Sequence, residues 1–192
     1  MKSRTRPWTL ALLALALCSA PATASSIGFF VSSYSPDDTD TREGVGLDLE
    51  FGSGPVEFEI RAAYYTELVS KANPEIFELE AVPVDFGLNR SFGGGGKITP
   101  YVGGGFTYAV FDFVGDVTVA PGVRRAVAID AEFGFYAQAG FEFDIGKNWE
   151  GSVEGLFRQL DAEPEGDDLG TFLDQPLSMS GPAFNVGLAV HW

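Results

Sequence analysis

Between Ala131 and Ile145 the chain reads AEFGFYAQAGFEFDI. The odd positions are Ala, Phe, Phe, Ala, Ala, Phe, Phe and Ile, and the even ones are Glu, Gly, Tyr, Gln, Gly, Glu and Asp. A strand sends alternate side chains to opposite faces, whereas a helix would scatter those carboxylates around its circumference. The segment is therefore a strand. Its fifteen unbroken residues far exceed the usual globular length of about five or six.

The same alternation recurs along the chain. Val45, Leu47, Leu49 and Phe51 oppose Gly46, Asp48 and Glu50; Val56, Phe58, Ile60, Ala62 and Tyr64 oppose Glu57, Glu59, Arg61 and Tyr65. The GSGP between them is a tight-turn signal, which makes the two a hairpin. A first strand is predicted over Ile27 to Tyr34 and a fourth over FELEAVPVDFGLNR, with Pro83 in or beside a kink or bulge. TPYVGGGFTYAVFDF is the fifth, the opening segment the sixth, NWEGSVEGLFRQL the seventh and FNVGLAVHW, Phe184 to Trp192, the eighth.

The connections are regular as well. Those after strands one, three, five and seven are long and polar: Ser35 to Glu43, Glu67 to Pro74, Gly115 to Val127 and Asp161 to Ser180. Those after strands two, four and six are shorter and Gly-rich: Gly52 to Pro55, Ser91 to Ile98 and Gly146 to Asn148. An even number of up-and-down strands with long loops at one end and short turns at the other is the plan of a membrane-spanning barrel. The predicted fold class is all-β, an eight-stranded antiparallel up-and-down transmembrane β-barrel.

Residues 1–24 have the three regions of a secretory leader: Lys2, Arg4 and Arg6, the apolar run WTLALLALAL, and the small residues before Ala24. Cleavage after Ala24 is expected, leaving residues 25–192 as the barrel domain. Acylation at Cys18 is the rival processing, but the bulky Leu17 precedes that cysteine where such sites carry a small residue. Without the leader, nine basic residues face 27 acidic ones, a net charge of −18, and no cysteine remains. So acidic a chain is not expected to bind nucleic acid, which needs a basic face.

A soluble lipocalin-like barrel would alternate in the same way with its faces exchanged. Three features favour lipid outside. The small or charged face is rich in glycine (Gly46, Gly103, Gly105, Gly134, Gly140, Gly187), the apolar face is heavily aromatic, and Tyr101, Trp149 and Trp192 fall at the short-turn end as an interfacial girdle. A bore of eight strands is filled by side chains. Arg61, Arg90 and Arg158 are then expected to neutralise part of an inward set of carboxylates, Asp48, Glu50, Glu57, Glu59, Asp85, Glu132, Glu142 and Glu154.

These residues resemble a known group. ITPYVGGGFTY looks like the fifth-strand signature of small outer-membrane β-barrel proteins, the broad OmpA/OmpX/OmpW-like superfamily. The terminal NVGLAVHW is similar to the signal by which the barrel-assembly machinery recognises its clients, carried here by Asn185, Gly187, Val190 and Trp192. The resemblance implies the cell outer membrane, with outer-membrane lipid, lipopolysaccharide and the barrel-assembly machinery as partners. It also implies a structural, surface-display or adhesive role through four extracellular loops. The alternatives are an OmpW-like narrow conduit for small or apolar solutes and the soluble periplasmic binding barrel.

Signals for catalysis are weak, and the expectation is a protein that is not an enzyme, with no cofactor and no metal centre. A single histidine, His191, rules out zinc sites built on several His or Cys ligands. GGGGK at Gly93 to Lys97 is followed by Ile98, not Ser or Thr, and lies in a turn, so it is no phosphate loop. GSVEG at Gly151 to Gly155 lacks the nucleophile-elbow spacing. Lipid-hydrolysing barrels direct a His and a Ser at the outer leaflet, but His191 belongs to the lumen near the opposite rim. The acidic runs DDTD (Asp37 to Asp40) and EGDD (Glu165 to Asp168) are read as solvated loops, with calcium or lipopolysaccharide bridging as the less favoured reading.

Overall fold

The structure is a computed structural model that describes residues 25–52, 54–69, 78–93, 97–114, 117–120, 123–125, 128–129, 131–162, 164–165 and 177–192. Eight strands close into one antiparallel barrel: β1 Ser26–Tyr34, β2 Arg42–Phe51, β3 Val56–Val69, β4 Glu78–Ser91, β5 Ile98–Val114, β6 Glu132–Asp144, β7 Trp149–Gln159 and β8 Gly181–His191. Each strand pairs with its chain neighbours, and β1 closes on β8, with Ser26 opposite His191 and Tyr34 opposite Ala183. The predicted fold class is the observed one. The leader and the EGDD run lie outside or almost wholly outside the described residues.

Turn chemistry explains the short connections. Gly52 (φ +144°) follows β2 and Gly93 (φ +103°) follows β4, conformations that glycine adopts without a Cβ penalty. On the long-connection side the strands run further than the alternation indicated. β3 continues to Val69 through a bulge between Tyr65 and Leu68, and β8 begins at Gly181. Pro83 keeps register with Ala109 of β5; on its other side the ladder passes from Ala62–Val84 to Tyr65–Ala81, where the bulge begins. The missing proline donor thus falls beside an irregularity of the neighbouring strand. Short ladders add to the long-connection end: Val117–Ala120 with Val123–Arg125, Ala128–Ile129 with Pro164–Glu165, and Asp161–Ala162 with Leu177–Ser178.

The faces are those of a barrel in lipid. Ile27, Phe29, Val31, Leu47, Phe58, Phe86, Leu88, Val102, Phe106, Phe135, Phe157, Phe184, Val186 and Leu188 are exposed on the outer wall. Charged side chains such as Glu59, Arg61, Asp85, Glu154 and Arg158 are buried inside. The soluble lipocalin-like alternative is thereby overturned, because that fold needs its apolar face inward. Trp149 and Trp192 are exposed at the short-turn end, as a girdle requires. A second aromatic patch, which the alternation did not single out, lies toward the other end of β5 and β6. There Phe106 and Phe135 have ring centroids 5.3 Å apart, and Tyr108 and Phe133 4.8 Å apart.

Inside, glycines give room to large lumen side chains. A Cβ on Gly46 would occupy the space of the Phe30 ring and lie 2.6 Å from the Ala62 carbonyl oxygen. Gly46→Val is therefore expected to destabilise the barrel by about 1–3 kcal/mol, read from urea unfolding in detergent. Pairing it with Phe30→Ala should recover part of the loss, since only the backbone contact would then remain.

Candidate functional site

Among the described residues the lumen is where the fold gathers its buried charged side chains, and it has two storeys. In the middle, Arg61 on β3 bonds Glu59 at 2.5 Å through Nη2 and Glu154 on β7 at 2.6 Å through Nη1 and 2.9 Å through Nη2. Arg61 Nη1 also donates to Gln138 Oε1 at 2.9 Å. Gln138 Nε2 donates to Glu59 Oε2 at 2.8 Å and to Asn89 Oδ1 at 2.6 Å. Glu154 further accepts from Tyr101 Oη at 2.7 Å and from Asn185 Nδ2 at 2.7 Å. The Phe30 ring lies beneath the guanidinium, 5.3 Å from its centre. Two carboxylates on one guanidinium, with amide and phenol donors beside them, make a buried ionic network in which Arg61 Nε and Asn185 Oδ1 are left without a partner among the described residues.

A second pair closes the bore above it. Arg158 Nη2 donates to Asp85 Oδ2 at 2.6 Å and Nε to Oδ1 at 3.2 Å, and Asp85 Oδ1 also accepts from Thr107 at 2.6 Å. Arg158 lies over the Tyr34 ring, 5.4 Å from its centroid. Beyond this pair the lumen is not polar. Tyr34, Tyr65, Leu68, Leu79, Ala81, Ala109, Phe111, Leu160 and Met179 form a buried cluster. The β1–β2 connection lies over that plug: Ser35, Asp37 and Asp38 donate backbone bonds to Pro182, Ser180 and Ser178, and Tyr34 Oη bonds the Met179 carbonyl. Among the described residues, the expected polar bore is thus polar mainly in its middle and at the short-turn end.

Of the predicted lumen charges, the structure brings Glu59, Arg61 and Glu154 into one group and Asp85 and Arg158 into another. Asp48, Glu50 and Glu142 line a small cavity toward the short-turn mouth, where Glu50 accepts from Ser26 Oγ at 2.7 Å. Glu57 is half-buried on the inward face of β3 near that mouth, and Glu132 is half-buried opposite Ala109 at the other end. Two assignments are corrected. Arg90 is exposed on the outer wall, opposite Val56 and Val102 and 5.5 Å from the Phe92 ring, because the inward set of β4 is odd-numbered. Tyr101 is not in the girdle: it is buried in the lumen on Glu154, because the odd positions of β5 point inward. Gln138, Asn89, Asn185, Tyr136 and Thr107 were missed as lumen partners; their inward parity was the available signal.

His191 faces the rim, with Nε2 3.4 Å from Glu150 Oε1. Asn185 and Gly187 lie on the inward face of β8, and Val190 and Trp192 continue its outward set. The lumen face of β8 is tightly fitted, since a Cβ on Gly187 would lie 2.5 Å from Ser152 Oγ. The ladder partner of His191 on β1 is Ser26, whose hydroxyl donates to Glu50, and among the described residues no three acidic, His or Cys side chains form a ready-made metal cage.

The sequence model of the outer membrane protein beta-barrel domain matches residues 10–191. The chain belongs to this family. Among solved structures, the barrel domain is similar to Neisserial surface protein A, at 9% identity and a TM-score of 0.59, covering 87% of this chain and 96% of that one. It is also similar to the outer membrane protein W of E. coli, at 15% identity and a TM-score of 0.56, covering 88% and 99%. At such identities the likeness is one of fold. A comparison with curated proteins finds no match. The family and the lipid-facing wall place the barrel domain in the outer membrane.

Proposed function

We propose that this protein is a non-enzymatic, non-conducting outer-membrane barrel that serves a structural, surface-display or adhesive role through its long connections. One observation carries the reading. The lumen is closed in depth: the Arg61 and Arg158 networks cross it, and beyond them Tyr65, Leu68, Leu79 and Met179 are fully buried. A conduit for solutes would have to break both ion networks and part the apolar plug at once. The interior of such a barrel acts as a packed core, and what remains to meet partners is the long-loop end. The glycine and the aromatic and aliphatic positions of β8, from Asn185 to Trp192, act as the strand that the barrel-assembly machinery takes up. Outer-membrane lipid and lipopolysaccharide surround the wall.

Planar-bilayer recording on the purified protein tests this. The expected result is a membrane no leakier than lipid alone, with no hydrolysis of lipid substrates in the same preparation. Sustained unitary conductance, or uptake of small solutes in a liposome-swelling assay, would return the narrow-conduit reading.

A further inference from the structure

Below the Arg61 network a cavity of about 30 Å³ opens toward the short-turn mouth, room for about two water-sized species. Six carboxylates border it and Arg61 is the only basic side chain among its lining residues. Arg61 is already shared between Glu59 and Glu154. That leaves Asp48, Glu50, Glu142 and Glu150 facing one small space, with His191 at the rim, its Nε2 3.4 Å from Glu150 Oε1. Unbalanced charge in a low-dielectric bore is costly unless it is paired.

A second observation is independent of the charge count. Asn185 is buried, and its Nδ2 donates to Glu154 Oε1 at 2.7 Å. A carboxylate only accepts, so this bond fixes which way the amide is turned. The carbonyl Oδ1 is left as a buried acceptor that no donor among the described residues reaches, in a side chain that lines the cavity. An orphan carbonyl oxygen beside uncompensated carboxylates is the donor chemistry of a hard cation.

We propose that this vestibule binds one hard cation of calcium's class through the oxygens of Asp48, Glu50, Glu142 and Asn185. Because no three of the acidic groups are gathered in advance, the half-buried Glu142 swings in from the mouth and water completes the shell. Calcium accepts such irregular, flexible sets of six to eight oxygens, whereas magnesium demands a near-ideal octahedron. The ion would lock the short-turn halves of β2, β6 and β8 together.

The test uses the purified protein in non-ionic detergent after chelation. It is titrated with Tb³⁺, followed by emission sensitised through Tyr101 and the mouth tryptophans, and then competed with Ca²⁺. Thermal unfolding is recorded in Ca²⁺ and in NaCl of equal ionic strength. The expected result is one competing Ca²⁺ per barrel and a higher unfolding temperature in Ca²⁺ alone. Asp48→Asn and Glu142→Gln keep side-chain volume and remove one charge each, so each should weaken Ca²⁺ by about tenfold or more. The triple variant Asp37→Asn, Asp38→Asn, Asp40→Asn on the β1–β2 connection should leave affinity unchanged. No Ca²⁺-specific effect, or an effect lost in the triple variant and kept in Asp48→Asn and Glu142→Gln, overturns the proposal; the first outcome leaves water as the occupant and the second moves binding to the loop.

Discussion

Replacing Arg158 by Met is expected to destabilise the barrel by about 3–5 kcal/mol. The guanidinium and the Asp85 carboxylate are both completely buried, so removing one charge leaves the other in a space that water cannot enter. Among the described residues, Asp85 would keep only the Thr107 hydroxyl as a side-chain partner. The pair itself need not be a net gain over apolar packing, because taking two ions out of water offsets most of their attraction. The double variant Arg158→Met, Asp85→Leu should therefore recover most of the loss, and equilibrium unfolding of the three variants in lipid vesicles measures the cycle. A single variant within about 1 kcal/mol of the parent would mean that water does reach Asp85.

The second large effect is on the outer wall. Val186 lies at the centre of β8, between Val31 of β1 and Val153 of β7, and is exposed. Arginine there should cost about 2–4 kcal/mol, while arginine in place of Trp192, at the short-turn edge, should cost about 0–1. Folding equilibria in vesicles compare the two directly. The gradient is the informative part. Equal small costs at both depths would mean that the wall faces water, and the lipid assignment would fall with it.

Most of the architecture was legible because one rule, the period of two, acts on every strand and is imposed by the surroundings of both faces. The count of eight strands followed from it, while the family resemblance rested on the stretches ITPYVGGGFTY and NVGLAVHW. Where the rule was applied strand by strand it held, and where it was set aside it failed. Gly103 and Gly105 were placed inside, which already required Tyr101 to be inside, yet an aromatic near a turn looked like an interfacial anchor. Asp85 inside likewise put Arg90 outside, but the wish to balance carboxylates moved it into the lumen. The pairing within the lumen was less legible. Arg158 meets Asp85 across the bore although neither is a ladder neighbour of the other, and that choice depends on barrel closure and stagger, which no local pattern encodes. The apolar plug was also hidden, since a bulge after Tyr65 turns Leu68 inward against the preceding parity.

The seam between β1 and β8 has a consequence in time. Every other ladder of the barrel joins strands that are consecutive in the chain; this one joins the first strand to the last, so its closure carries the greatest entropic cost and is repaid only when the intervening six are in place. Until it forms, both strands offer unpaired edges, each a template for a second chain. There is no stable half-barrel on the way, because an open sheet edge cannot rest in hydrocarbon. The molecule is therefore all-or-none: safe once shut, and most at risk of polymerising in the interval before its final ladder zips.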